Sequence, residues 1–214
     1  MTAEEILKAT FGVFALAHRA WHGVEMIADH VDRIKASDSN EYFGALQADL
    51  TDLAVLRTLC FVDGGKDRSW SVPHLVRDIA NKPTVFVPVA NEPSEAFLTA
   101  YGVSDRALSE SRAERVGRLW EWLSGAPEFI GALSAMKEYR DRRIAHADRR
   151  GVQKSVTFDN VDLVLEAGRK VLQMAAATHY NPNLNPEGHI APLWEYPGLY
   201  RAIRGLASEP RTRA

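Results

Sequence analysis

The sequence predicts an all-α protein, a bundle of long antiparallel helices followed by a proline-rich C-terminal arm. Three observations carry this. Apolar residues recur at helical spacing over long stretches, no segment alternates apolar and polar residues in the manner of a strand, and helix-start and helix-stop residues bracket the periodic stretches. In chain order, Thr2 and Glu5 make a capping box, so a helix starts at once. Its stripe is Ile6, Val13, Leu16, Ala17, Ala20, Val24, Ile27, Ala28, Val31 and Ile34, which predicts one helix to the neighbourhood of Ala36. Leu7, Phe11 and Phe14 add a second apolar side to its first half. That doubled face asks for burial twice, in the bundle and against a partner.

SDSN, residues 37–40, breaks the chain and caps a second helix carrying Phe43, Leu46, Leu50, Leu53 and Leu56, which ends at the turn DGG, 63–65. Ser71 and Pro73 start a short helix over 72–80. TVFVPVA, 84–90, reads as extended or irregular. Helices follow at 93–101, 105–123 and 127–146, and after the loop ADRRGVQKSVT a last long one spans 159–179. Pro182, Pro186, Pro192 and Pro197 then mark an irregular surface arm with one helical patch, LYRAIRG. Residues 1–181 are thus read as a helical domain and 182–214 as the arm.

Composition narrows the function. The chain has 214 residues, a formal net charge of −2, 46% hydrophobic residues and one cysteine. A near-neutral charge gives no global pull toward nucleic acid or anionic lipid, so such a partner must meet a local patch. No apolar run is long enough for a membrane span. The start, with acids where a leader has positive charge, does not read as a signal peptide. A cytoplasmic protein without membrane partners is expected. Cys60, with no histidine placed to activate it, reads as a core residue.

Chemistry concentrates in EYRDRRIAHADRR, 138–150. On a regular helix Arg140 lies about 20° from Leu133, inside a stripe shared with Phe129, Met136 and Ile144. A guanidinium there needs an acid, a carbonyl or a bound anion. Tyr139, Arg142, Arg143 and His146 cluster on the other side. Arg140 and His146 project about 120° apart on a regular helix. Either the helix unwinds before His146 or a second protomer completes the site. A plain structural reading is also open, in which Arg140 pairs with a core acid and its neighbours complement the helix dipole.

YRDRRIAHAD resembles the signature of the HEPN superfamily (higher eukaryote and prokaryote nucleotide-binding domains), in its abortive-infection AbiU-like branch. There an arginine, usually followed by a polar residue, precedes a histidine by five to seven positions near a helix end, as Arg140, Asp141 and His146 do. The likeness extends through EYFGALQADLTDLAVLR (41–57), Asp63 and SVPHLV (71–76), and covers roughly residues 40–180. Cys60 stands where the branch often has an arginine, so no role of that arginine transfers.

The resemblance implies a HEPN-like bundle that forms a homodimer with the two motifs facing across a cleft. It also implies a metal-independent endoribonuclease in phage defence or a toxin–antitoxin system, with RNA as substrate, an antitoxin protein as a possible partner and no cofactor. His146 would act as general acid/base and Arg140 as phosphate clamp, with Asp141 as orienter. Arg142 and Arg143 would contact RNA. The rivals are a non-catalytic HEPN-like module that binds nucleotide, RNA or a protein, and a structural bundle in which Arg140 ties helices together.

Other candidates are weaker. His18, His22, Glu25, Asp29 and Asp32 share one column of the first helix, a spacing compatible with metal ligands. A solvated polar face is the preferred reading, and no metal site is expected. Trp120 and Trp122 cannot share a helix face, so one should be core and one boundary. His179 reads as part of a helix C-cap. Asp63-Gly64-Gly65-Lys66 lacks the spacing of a phosphate loop and reads as a turn.

Overall fold

The computed structural model describes residues 1–63, 70–89, 112–145, 156–180 and 197–206, and the helices are numbered in chain order among them. They are α1 (Ala3–Asp29), α2 (Val31–Lys35), α3 (Asn40–Val62), α4 (Val72–Asn81), α5 (Arg112–Ser124), α6 (Pro127–Tyr139), α7 (Phe158–His179) and α8 (Pro197–Gly205). A π-helical segment, Arg140–Ala145, continues α6. No strand occurs among the described residues, and the fold is all-α. The helix expected over 93–101 and the start of that over 105–123 lie outside the described residues.

Local signals set most boundaries. Thr2 Oγ1 accepts from the Glu5 amide while the Glu5 carboxylate accepts from the Thr2 amide, closing the expected capping box. Thr157 and Asn160 form a second one at the start of α7. Pro73 and Pro127 occupy the first turns of α4 and α6, where a missing N–H costs nothing.

One boundary differs from expectation. The first helix stops at Asp29 and restarts at Val31, because His30 Nδ1 sits 2.9 Å from the Met26 carbonyl oxygen. That is the oxygen the His30 amide would bond in an unbroken helix. The amide turns to Ile27 instead, at 3.3 Å, and the regular helix is interrupted at His30.

α1 is the central post of the bundle, with α3 and α7 packed along it. Both run antiparallel to it. Arg57 of α3 donates to the Leu16 carbonyl and Phe61 meets Phe14 at 5.3 Å between centroids. Toward α7, Trp21 Nε1 donates to Asp162 Oδ1 at 2.5 Å and Tyr180 hydroxyl donates to Glu4 at 3.3 Å. Leu7 and Phe14 are therefore buried, and Phe11 is half-buried, within a single chain. The second apolar side that suggested a partner subunit is covered by this chain's own helices, and Leu16 and Val31 of the predicted stripe are exposed.

α4 and α5 pack together, and α5 and α6 join through the turn at Gly125, where Trp120 meets Phe129 edge-on at 5.7 Å. Trp120 is half-buried against the core and Trp122 is exposed, so the two lie on different faces as their spacing required, but neither is a core residue. Residues 82–89 carry no regular structure. Phe86 plugs the end of α7 and the Val89 amide donates to the Thr178 carbonyl. The helix within the proline-rich arm, α8, is seated on the bundle. Ile203 is fully buried, and Arg33 donates to the carbonyls of Arg204 and Leu206.

Candidate functional site

The motif-bearing helix runs antiparallel to the second half of α3, and the site lies between them. Lys137 Nζ approaches Asp63 Oδ1 at 3.4 Å, while one turn on Tyr139 and Arg143 both reach Asp52. The helix leaves α geometry at Arg140, the first residue of the motif, and runs as a π-helix to Ala145. The wider i→i+5 ladder re-aims the side chains that follow, so the angular bookkeeping of a regular helix fails there.

Arg140 does continue the stripe of Phe129 and Met136, but at this point the stripe runs off the end of the core. Its side chain keeps 26% of its surface exposed, and Nε donates to Asp141 Oδ1 at 2.7 Å. The partner is thus its own chain neighbour, not a core acid on another helix. Its proton is held above the ordinary arginine range, chiefly by the Asp141 hydrogen bond, with Asp63 and Cys60 adding attraction. Asp63 and Cys60 belong to the C-terminal end of α3.

Cys60 is exposed there, contrary to the expectation of a core thiol. The buried residues of α3's second half, Ala54, Val55, Thr58, Leu59, Phe61 and Val62, all point about 100° or more away from it, so it lies opposite the core.

Arg143 Nε donates to Asp52 Oδ1 at 3.0 Å, and the same oxygen accepts from Tyr139 Oη at 2.6 Å. The Arg143 guanidinium lies 5.7 Å over the Tyr139 ring. Burial, then the hydrogen bond to Asp52, raises the Tyr139 phenol above its usual range, so it is a neutral donor. Arg142 pairs with Glu138 one turn back, at 3.5 Å. Arg142 and Arg143 are therefore engaged with acids, and the expected local positive charge is matched residue by residue. His146 and the loop after it lie outside the described residues.

Asp52 escaped the sequence reading, although a signal was present. Asp52 and Asp63 are 11 residues apart, three turns, which puts them within about 20° on one helix face. A helix with two acids on one face, opposite a helix end rich in arginine, is a pairing the sequence could have suggested.

A second polar group lies between α1 and α7. His18 is not on a solvated face as expected. Burial, then the charges of His22 and Arg169, lower it from 6.5 to about 4, against the pull of Glu166. Burial followed by repulsion from Asp162 raises Glu25, and His22 Nδ1 lies 3.6 Å from its carboxylate. Among the described residues, no three histidine, cysteine or acidic side chains converge as a metal site. Nor is any described helix long and apolar enough to cross a membrane.

No protein-family model matches this chain, and neither a curated protein nor a solved structure matches it.

Proposed function

We propose that the protein is a metal-independent endoribonuclease of HEPN type, acting in phage defence or a toxin–antitoxin system. Arg140 clamps the scissile phosphate, Asp141 orients it, His146 moves protons, and Arg142 and Arg143 hold the RNA backbone. In this reading an imidazole takes the proton from a ribose 2′-OH as that oxygen attacks phosphorus, or protonates the departing 5′ oxygen. The guanidinium stabilises the charge on the pentavalent phosphorus.

One observation supports the reading above others. The helix departs from α geometry where the motif begins, and Arg140 is turned onto its own neighbour instead of serving as a strut between helices. Single turns of π-helix occur frequently at functional sites. The role of His146, a homodimer, an antitoxin partner and a cytoplasmic setting belong to the same reading and are supported by the sequence resemblance.

A second reading, a non-catalytic module binding nucleotide, RNA or a protein, is favoured by one fact. Lys137, Arg140, Arg142 and Arg143 each hold an acid already.

RNA cleavage by the wild type beside His146→Ala and Arg140→Ala tests these readings. Catalysis predicts a loss of roughly 10²–10⁴-fold for His146→Ala with RNA binding retained. Arg140→Lys should restore little, since a point charge does not replace a fork of donors. Melting temperature should scarcely move in Arg140→Ala, whereas Arg143→Ala, which cuts a tie to α3, should cost up to about 1 kcal/mol. Binding without cleavage in a folded wild type would establish the module instead. A lower melting temperature in Arg140→Ala, with His146→Ala silent, would make Arg140 structural.

A further inference from the structure

The acids facing the motif differ in origin. Asp141 and Glu138 belong to the motif helix itself and meet Arg140 and Arg142 across one residue and one turn. Asp52 comes from α3 and is joined at a single oxygen by two donors of different kinds, the Tyr139 hydroxyl at 2.6 Å and Arg143 Nε at 3.0 Å. A phenolic O–H and a guanidinium N–H converging on one anionic oxygen is also the donor set that a non-bridging phosphodiester oxygen accepts. The pair is open to solvent, with 44% of the Arg143 side chain and 30% of the Asp52 side chain exposed. An ion pair that exposed is worth at most about 1 kcal/mol, so an incoming anion can displace it.

We propose that Tyr139 and Arg143 form a subsite for a backbone phosphate of single-stranded nucleic acid, and that Asp52 is the resident anion which that phosphate replaces. The inference rests on the RNA reading above for its ligand, but not on catalysis. While empty of nucleic acid, the site keeps its donors aligned on Asp52 and presents no unmatched charge, in keeping with the chain's net charge of −2. On binding, the phosphate takes Oδ1's place and one guanidinium passes from a carboxylate to the ligand. Asp52 thereby acts as a built-in competitor that sets affinity.

The test is binding of a fluorescent single-stranded oligodeoxyribonucleotide, which lacks the 2′-OH and is not cleaved, to the full chain. Asp52→Asn keeps the shape and an acceptor for Tyr139 but removes the competing charge. Affinity should rise on the order of fivefold at low salt. The slope of log affinity against log salt should steepen by roughly 0.7, the value for one more neutralised phosphate on a single strand. Adding Arg143→Gln should abolish that gain.

A folded Asp52→Asn protein with unchanged or weaker binding overturns the proposal. Should Asp52→Asn fail to fold, Arg143→Gln in the otherwise wild-type chain decides, with weaker binding expected and unchanged binding overturning the subsite. The ribonuclease reading fails separately: a tighter Asp52→Asn complex with no RNA cleavage by the wild type would keep the subsite and discard the catalysis.

Discussion

Gly168 shows how little room separates α7 from α3. A Cβ built there would stand 2.3 Å from Cε1 of Phe61, a fully buried ring packed in turn against Phe14 at a tilt of 48°. Neither ring can yield without moving the other, so Gly168→Ala should destabilise by about 1–3 kcal/mol. Gly12, on an exposed stretch of α1 with nothing near its missing Cβ, is the control. Gly12→Ala should stabilise by roughly 0.5–1 kcal/mol, since only helix propensity changes. Denaturant melts of the two variants check both signs.

Gln173 presents the opposite situation, a fully buried side chain whose amide oxygen and nitrogen both lack a hydrogen-bond partner among the described residues. Gln173→Met keeps the length and removes the unmet polar atoms, so it should raise stability by about 1 kcal/mol or more. A lower midpoint in the same melts would show that the amide does something the packing conceals.

At the scale of elements, the sequence was informative at several boundaries made by near neighbours, although Ser39 of the expected SDSN cap makes no side-chain cap bond and the capping box of Thr157 and Asn160 went unforeseen. The capping box at Thr2, the prolines that open α4 and α6, and the span of α7 follow from near-neighbour chemistry. The break at His30 does not, because it depends on an imidazole reaching back to a carbonyl, which residue type alone does not announce. The π segment was invisible for a different reason. Assigning side-chain directions from a 3.6-residue period assumes the very geometry that fails at Arg140.

The end of α7 is an element whose behaviour with pH follows from its surroundings. His179 sits under Phe86, and burial lowers it from 6.5 to about 4, with the Phe86 and Val87 backbone opposing only in part. His18 midway along α1 is lowered to about 4 as well. In each case the fold favours the neutral ring, so the unfolded chain binds more protons once pH drops below 6.5. This contribution to stability is whole above that value, declines as pH falls, and is gone below about 4. Thermal midpoints should therefore fall across that window, and His18→Gln combined with His179→Gln should flatten the slope even if it lowers the midpoint at neutral pH. An unchanged slope would place the acid sensitivity elsewhere.

For the whole molecule, the all-α class was legible because class depends on periodicity, which is local. The packing order was not. Two apolar sides on the first helix were correctly seen, yet one sequence does not say whether the second side meets another chain or a later part of the same one. Here it meets α3 and α7 of its own chain. Asp52 went unremarked although the spacing within α3 sets it on one face with Asp63, and Cys60 was misplaced although it lies opposite the buried face of its own helix. Only the identity of the helix facing Asp52 is decided some eighty residues further on.

That arrangement bears on how the chain comes together. α1 is made before α3 and α7, the two helices packed along it, and part of that covering arrives late. α3 can close over α1 early, across about 41 residues from Leu16 to Arg57, but Trp21 waits 141 residues for Asp162, and Arg33 waits 173 for Leu206. A helical bundle of neighbouring hairpins folds quickly because its contacts are local, and this one forgoes much of that advantage. On the ribosome, α1 and α3 would stand as a two-helix stem with one apolar flank open until α7 emerges. That interval, and not the finished surface, is when this protein is most exposed to aggregation or in need of a chaperone.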